Sequence, residues 1–185
     1  MQGAPFELFY SARGELTQQL FDEGASVDAG DLFGTGRLVL LSANSVEVKE
    51  SLANFIRSRV LAKNKKLAIA NPAHAPYGRA AKETLQSLQV WDDVQENLVN
   101  GEQVSQAARF VVSGASSYGL VSLSLALSSP IADVTYFQLI DDTLHEPIYH
   151  RVVRLKAAGA DAEHFYQFVL NSKEAHEILS RYGLK

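Results

Sequence analysis

The chain has 185 residues, of which 46% are hydrophobic and 21% charged, an ordinary composition for one large globular domain or two small lobes. Its net charge of −4 argues against a surface that binds nucleic acid. Cysteine is absent from the sequence, which excludes disulfides, thiolate nucleophiles and cysteine-ligated zinc.

The first predicted elements are a strand, an amphipathic helix, a second strand and a second helix, over residues 6–10, 14–23, 37–42 and 46–62. The first helix places Leu16, Leu20 and Phe21 inward and ends at Gly24. Residues 37–42 form a nearly continuous apolar run, which is typical of a strand covered on both faces.

Two strand–turn–helix units follow. The first has a strand at 66–70, a stop at Asn71-Pro72, and a helix that begins near Pro76 and continues to Leu88. The second has a strand at 96–99 and a helix at 102–112, which Ser113-Gly114 ends.

The last third predicts strands at 117–123, 134–140 and 148–155, a short helix at 124–127, and helices at 162–170 and 173–182. The inward residues of the last two helices are expected to be Phe165, Phe168 and Val169, followed by Ala175, Ile178 and Leu179. Alternation of strands and helices predicts an α/β fold with a largely parallel sheet.

The two strand–turn–helix units also suggest a function. The first-turn backbone N–H groups near Tyr77, Gly78 and Val104 should point out of the positive ends of their helices, where an anion is favoured. An acidic chain has to hold an anion with such local donors. Helix N-termini follow strands in every α/β protein, however, so this pattern alone leaves the anion site open.

Other motifs predict no chemistry. Gly34-Thr35-Gly36 lacks the third glycine of a dinucleotide fingerprint, Ser113 to Ser117 does not match a nucleophile elbow, and Asp141-Asp142 is interpreted as a turn. The histidines lack the spacing of paired metal ligands: His74, His145, His150, His164 and His176. The sequence therefore predicts neither a catalytic site nor a cation site, although His74 lies in the turn before the helix at Tyr77.

Several segments, taken in order, resemble the periplasmic molybdate-binding proteins of bacterial ABC importers. They are Gly3-Ala4-Pro5 through Ala12, Gly36 through Leu40, Leu67 through Pro72, Pro76-Tyr77-Gly78, Ala81-Lys82-Glu83, Val104 through Val121, and Arg181-Tyr182-Gly183. Together they extend over nearly the whole chain. Their order and spacing carry the resemblance, because no single motif does.

The resemblance implies a two-lobed periplasmic binding protein fold of type II. One lobe would comprise residues 38–152, and the other residues 1–37 and 153–185. The ligand would be molybdate or tungstate, held between the lobes with no cofactor, and the partner would be the membrane permease of an ABC importer. The resemblance also implies a periplasmic location and no enzymatic activity.

The resemblance also implies the site residues. Family positions whose backbone N–H groups donate to the oxyanion match Tyr77 and Val104, the two helix starts found above. A further position, tyrosine in some members, matches Ser122. No residue is implied as a cation ligand.

The chain departs from the family at its beginning. Family members have a further βαβ unit before the Gly-Ala-Pro segment, which supplies hydroxyl donors to the oxyanion, and residues 1–5 do not form a signal peptide. The expectation is an incomplete first lobe, impaired binding, and self-association through the exposed edge near residues 6–10.

Three alternatives remain open at this stage. The first is a carrier of another tetrahedral oxyanion such as sulfate. The second is a regulatory or interaction domain built on the same fold. An enzyme is the third and the least supported.

Overall fold

The computed structural model describes residues 5–45 and 50–185. The chain divides into two compact units, one comprising Met1–Gly36 and Tyr149–Lys185, the other Arg37–Ile148. The Gly3-Ala4 part of the first resembling segment and the predicted helical residues 46–49 lie outside the described residues.

The described strands are β1 (Leu8–Ser11), β2 (Asp31–Gly36), β3 (Leu38–Ser42), β4 (Leu67–Ala70), β5 (Leu98–Gly101), β6 (Tyr118–Ser122), β7 (Tyr136–Leu139) and β8 (Ile148–Arg154). The described helices are α1 (Gly14–Asp22), α2 (Leu52–Phe55), α3 (Pro76–Ser87), α4 (Val104–Val112), α5 (Leu123–Ala126), α6 (Ile131–Val134), α7 (Ala160–Asn171) and α8 (Lys173–Arg181). A π-helical stretch, Ile56–Leu61, continues α2, and short 3₁₀ turns occupy Gln95–Asn97 and Asp142–Leu144.

The first unit contains a three-stranded sheet in the order β1-β8-β2. β1 pairs antiparallel with β8, with Phe9 opposite Val153. β2 was not predicted, because two glycines weaken its strand pattern. Gly34 packs closely in this strand, since a Cβ there would lie 3.1 Å from the Leu184 side chain, and Thr35 exchanges two backbone hydrogen bonds with Lys185.

The predicted inward faces of three helices in this unit, α1, α7 and α8, are partly wrong. In α7 the buried residues are Ala162, Tyr166 and Val169, whereas Phe165 and Phe168 are exposed and stack on each other. Tyr166 is buried because its hydroxyl donates to Asp31 and its ring lies under the Arg154 guanidinium, 4.6 Å away. The remaining predicted inward residues that are exposed are Phe21 and Ile178.

The second unit contains a five-stranded sheet in the order β5-β4-β6-β3-β7. β4 pairs parallel with β5 and β6, and β3 pairs antiparallel with β6 and β7. Four strands therefore run in one direction and β3 alone runs against them, so the predicted largely parallel sheet is confirmed except at β3.

The centre of this sheet is covered on both faces. Every residue of β3 and β4 is buried, as the apolar runs predicted. One face forms a cluster that joins Val39, Ala68 and Val121 to α4 and α5. The alternate residues Leu67 and Ile69 are also fully buried, and α3 contacts β4 and β6. These contacts fix the positions at which α3 and α4 begin.

Candidate functional site

The candidate site is the edge of the second unit's sheet at which parallel strands end and helices begin. Ala70 at the end of β4 lies opposite Gly101 at the end of β5, and β6, parallel to β4, ends at Ser122. Helices α3, α4 and α5 follow these three strands. In open α/β sheets, ligands bind in the crevice outside the carboxyl ends of the strands.

The turn before α3 is held by Asn71. Its backbone N–H donates to the Gly101 carbonyl over 2.7 Å, its carbonyl accepts from Ala75 over 2.9 Å, and its side chain accepts from Ala73 over 3.0 Å. Pro76 is the first residue of the helix, where a proline lacks an N–H group that would have no intrahelical acceptor. Tyr77 is therefore in the first turn, as predicted.

Gly78 sets how closely α3 approaches the end of β4. A Cβ at this position would lie 2.7 Å from the carbonyl carbon of Ala70, closer than real Cβ contacts allow. The side chain of Tyr77 is buried, and burial raises the pKa of its hydroxyl to about 12. The phenol is therefore neutral at physiological pH and adds no negative charge here.

The start of α4 is built in a similar way. Gly101 is tightly packed, because a Cβ there would lie 2.9 Å from the Ala107 nitrogen. The Gln106 side chain reaches back and accepts from the backbone N–H of Glu102 over 2.8 Å. Val104 is the first helical residue, and within the described part of the chain no protein group accepts from its N–H. This N–H is available to a ligand.

Ser122 lies at the same edge but has a structural role that the sequence did not predict. It is 2% exposed, and its side chain caps α5 by accepting from the Leu125 N–H over 3.3 Å. The Ser124 hydroxyl also donates to it over 3.1 Å. Both bonds use Ser122 as acceptor, so its own O–H hydrogen remains as a donor.

A contact between a histidine ring and a carboxylate joins the two helix starts, and sequence analysis missed it. His74 Nε2, in the turn before α3, lies 3.1 Å from the Glu102 carboxylate, just before α4. Both side chains are exposed. No spacing rule could reveal this pair, because the residues meet only through the β4–β5 pairing. A carboxylate at this edge opposes a bound anion.

The motifs interpreted as structural have structural contacts. The Asp141 carboxylate accepts from the N–H and hydroxyl of Thr143 over 2.9 and 2.8 Å, and these bonds lower the pKa of Asp141. The buried Ser116 donates to the Tyr118 carbonyl over 2.7 Å.

Across residues 5–45 and 50–185, no cluster of three or more His, Cys, Asp or Glu residues is suited to a metal ion. No helix in this part of the chain is long and apolar enough to cross a membrane.

The first unit has a separate apolar groove of about 580 Å³ between β1 and α1. Phe6, Leu8 and Leu20 are among its lining residues, and Phe6 is 68% exposed. β1 lies at the edge of its sheet. The expected self-association through this region stays a prediction.

Comparisons with known proteins give consistent matches. The model of the family "Bacterial extracellular solute-binding protein" matches residues 1–185. The molybdate-binding protein ModA of Rhodobacter capsulatus is 34% identical over 185 residues, which are 98% of this chain and 70% of that protein. The putative ABC transporter substrate-binding lipoprotein YvgL of Bacillus subtilis is 30% identical, over 98% of this chain and 68% of its own.

A solved structure matches as well. The periplasmic molybdate-binding protein of Azotobacter vinelandii superposes with a TM-score of 0.81 at 29% identity, covering 99% of this chain and 79% of that chain. The sulfate-binding protein SubI of Mycobacterium tuberculosis, at a TM-score of 0.68 and 14% identity, shows a shared fold only.

Proposed function

The chain belongs to the bacterial extracellular solute-binding protein family, and on that premise we propose that it is the substrate-binding component of an ABC importer for molybdate or tungstate. Relatives at 34% and 35% identity are named molybdate-binding proteins. The proposed lobe comprising residues 38–152 carries the donors described below. The chain would bind its ligand without transforming it.

One observation carries this proposal: α3 and α4 begin side by side, after adjacent parallel strands whose last residues, Ala70 and Gly101, are paired. The first-turn N–H groups of Tyr77 and Val104 are the proposed donors, at the positive ends of two helices. The Ser122 hydroxyl is a proposed third donor.

The donor chemistry favours a fully deprotonated dianion. Molybdate, tungstate and sulfate carry no proton at neutral pH, so hydrogen-bond donors alone satisfy them. Phosphate retains a proton and requires an acceptor, and the carboxylate at this edge, Glu102, already pairs with His74. Because sulfate meets the same condition, only the size of the binding cavity could discriminate it from the larger molybdate and tungstate.

The proposed partner is the membrane permease of the importer, and the proposed location is outside the cytoplasm. Two relatives support this location by name, one as periplasmic and the other as a lipoprotein. A regulatory domain on the same fold is the competing interpretation, and it requires no permease.

Calorimetric titration of the chain with molybdate, tungstate, sulfate and phosphate tests the proposal. We expect heat of binding with molybdate and tungstate, and none with phosphate. If sulfate binds more tightly than molybdate, the proposed ligand is wrong, but the proposed role as an oxyanion carrier stands. If none of the four anions binds, the proposed function is wrong for this chain.

A further inference from the structure

Strand β7 is an outer strand of the second unit's sheet. It pairs with β3 on one side, and no described strand pairs with its other side. The Ile140 N–H donates to the carbonyl of Leu38, the residue opposite it, over 3.0 Å. Because backbone groups alternate in direction along an antiparallel strand, those of Gln138 also turn toward β3, whereas those of Phe137 and Leu139 turn outward.

Large apolar side chains are exposed along this edge. Tyr136 is 53% exposed, Leu139 42% and Phe137 39%. Lysine, proline and β-bulges are common devices that prevent pairing at the edge of a sheet. β7 contains neither lysine nor proline, and its register with β3 is continuous, without a bulge. The outer side of β7 is therefore open to a further strand.

The charges around β7 are of one sign. Between Arg109 and Arg151 the sequence has no lysine or arginine. Asp133 lies shortly before β7 and Asp141 shortly after it, and both are exposed. Hydrogen bonds from Thr143 lower the pKa of Asp141, so this carboxylate is ionised at neutral pH. The edge is thus apolar in its middle and negative at both ends.

This charge pattern disfavours a second copy of the chain as the partner. Antiparallel pairing of β7 with itself would bring Asp133 of each copy toward Asp141 and Asp142 of the other. Parallel pairing in register would bring each aspartate toward its own counterpart. Like charges opposite each other destabilise strand pairing, so the pattern favours a partner with basic ends.

We propose that β7 docks an extended segment of another protein, apolar in its middle and basic at both ends, as an additional strand of the sheet. The outward backbone groups of Phe137 and Leu139 bond to its main chain, and lysines or arginines at its ends lie near Asp133 and Asp141. In recognition by strand addition, main-chain hydrogen bonds give affinity and side-chain contacts give specificity. The inference does not depend on which anion the chain binds.

Fluorescence anisotropy with two labelled peptides tests this inference on the whole 185-residue chain. Both peptides are capped and alternate valine with threonine, but one carries two lysines at each end and the other two glutamates. Leu139→Pro deletes an outward N–H group and leaves the hydrogen bonds to β3 in place. Leu139→Ala is the matched control that keeps this N–H. Thermal unfolding of each variant without peptide shows that it is folded.

A second pair of variants tests the charges. The double variant Asp133→Asn, Asp141→Asn removes the charge at both ends of the edge, and an asparagine oxygen can still accept the hydrogen bonds that both carboxylates receive. The double variant Asp22→Asn, Asp161→Asn is its control, because it removes two exposed charges in the other unit.

We expect the lysine peptide to bind the parent chain about 10-fold or more tightly than the glutamate peptide. Leu139→Pro should bind the lysine peptide about 3- to 10-fold more weakly than Leu139→Ala, as for loss of one main-chain hydrogen bond. The variant without Asp133 and Asp141 should bind it about 2- to 10-fold more weakly than the parent, as for two exposed ion pairs. Its control should stay within about twofold of the parent.

Four results would overturn the inference, and all of them leave the proposed function unaffected. If the lysine peptide does not bind the parent chain, or binds Leu139→Pro and Leu139→Ala equally, β7 is not a docking edge. If the glutamate peptide binds as tightly as the lysine peptide, the proposed partner chemistry is wrong. Sedimentation without peptide tests the other occupant, since a dimer of the parent chain that Leu139→Pro dissociates would assign β7 to a second copy.

Discussion

Replacing Val104 with proline tests the proposed site directly, because it deletes one backbone donor and keeps the helix. Val104 is the first residue of α4, the position at which proline is most readily accepted in a helix. The preceding residue, Gln103, has φ −131° and ψ 161°, the extended conformation that a following proline requires. No hydrogen bond within the described residues is lost.

The expected effect is large on binding and small on stability. A hydrogen bond to a charged group contributes about 1.5–3 kcal/mol, so Val104→Pro should weaken molybdate binding by about 10- to 150-fold. Its free energy of unfolding in urea should stay within about 1 kcal/mol of the parent value, because the ring replaces a side chain of similar volume.

Val104→Ala is the matched control. It keeps the N–H group and removes part of the packing against the α4 cluster, so it should lower stability slightly and leave the molybdate affinity nearly unchanged. Calorimetry and urea unfolding are measured on both variants. Equal molybdate affinities for Val104→Pro and Val104→Ala would refute the assignment of this N–H as a donor.

The remaining predictions concern the framework around the site. Gly78→Ala should lower the free energy of unfolding in urea by about 1–3 kcal/mol through overpacking against β4. Gly14→Ala is the control and should not lower it, because a Cβ there would have no atom within 4 Å. Equal free energies of unfolding for the two variants would contradict this. Arg154→Met should lower the free energy of unfolding because it removes the charge partner of both Asp28 and Glu163; an unchanged free energy of unfolding would refute this. Burial lowers the pKa of His150, so the unfolded chain takes up a proton first as the pH falls below about 6.5. Stability measured by urea unfolding should therefore decrease below that pH, and less so in His150→Asn.

The resemblance to periplasmic molybdate-binding proteins is confirmed by the family match and by the relatives. Local sequence patterns were sufficient to predict where α3 and α4 begin, because each helix start depends on residues that are close in sequence. Pro76 and the strand stop at Asn71 predicted α3, and the apolar runs predicted β3 and β4. In each case the local preference and the tertiary packing favour the same conformation.

What the sequence could not supply depends on contacts between distant residues. His74 meets Glu102 only because β4 and β5 pair, and the burial of Tyr166 depends on Asp31 and Arg154. Helical periodicity could not choose between Tyr166 and its phenylalanine neighbours, since both faces of α7 carry large apolar groups. The sequence of β3 likewise predicts a buried strand but not its direction. That direction is set by its antiparallel pairing with β6 and β7.

The charges at the edge of the proposed site favour an anion even in an acidic protein. Helix N-termini supply partial positive charge that is fixed in direction and unaffected by the net charge of −4. Glu102 acts against them, yet it lies beside His74 and is well exposed, so solvent weakens its field at the site. Fixed positive charge at the helix starts and a solvent-screened carboxylate at the same edge therefore leave a net attraction for anions, although acidic residues outnumber basic ones in the chain.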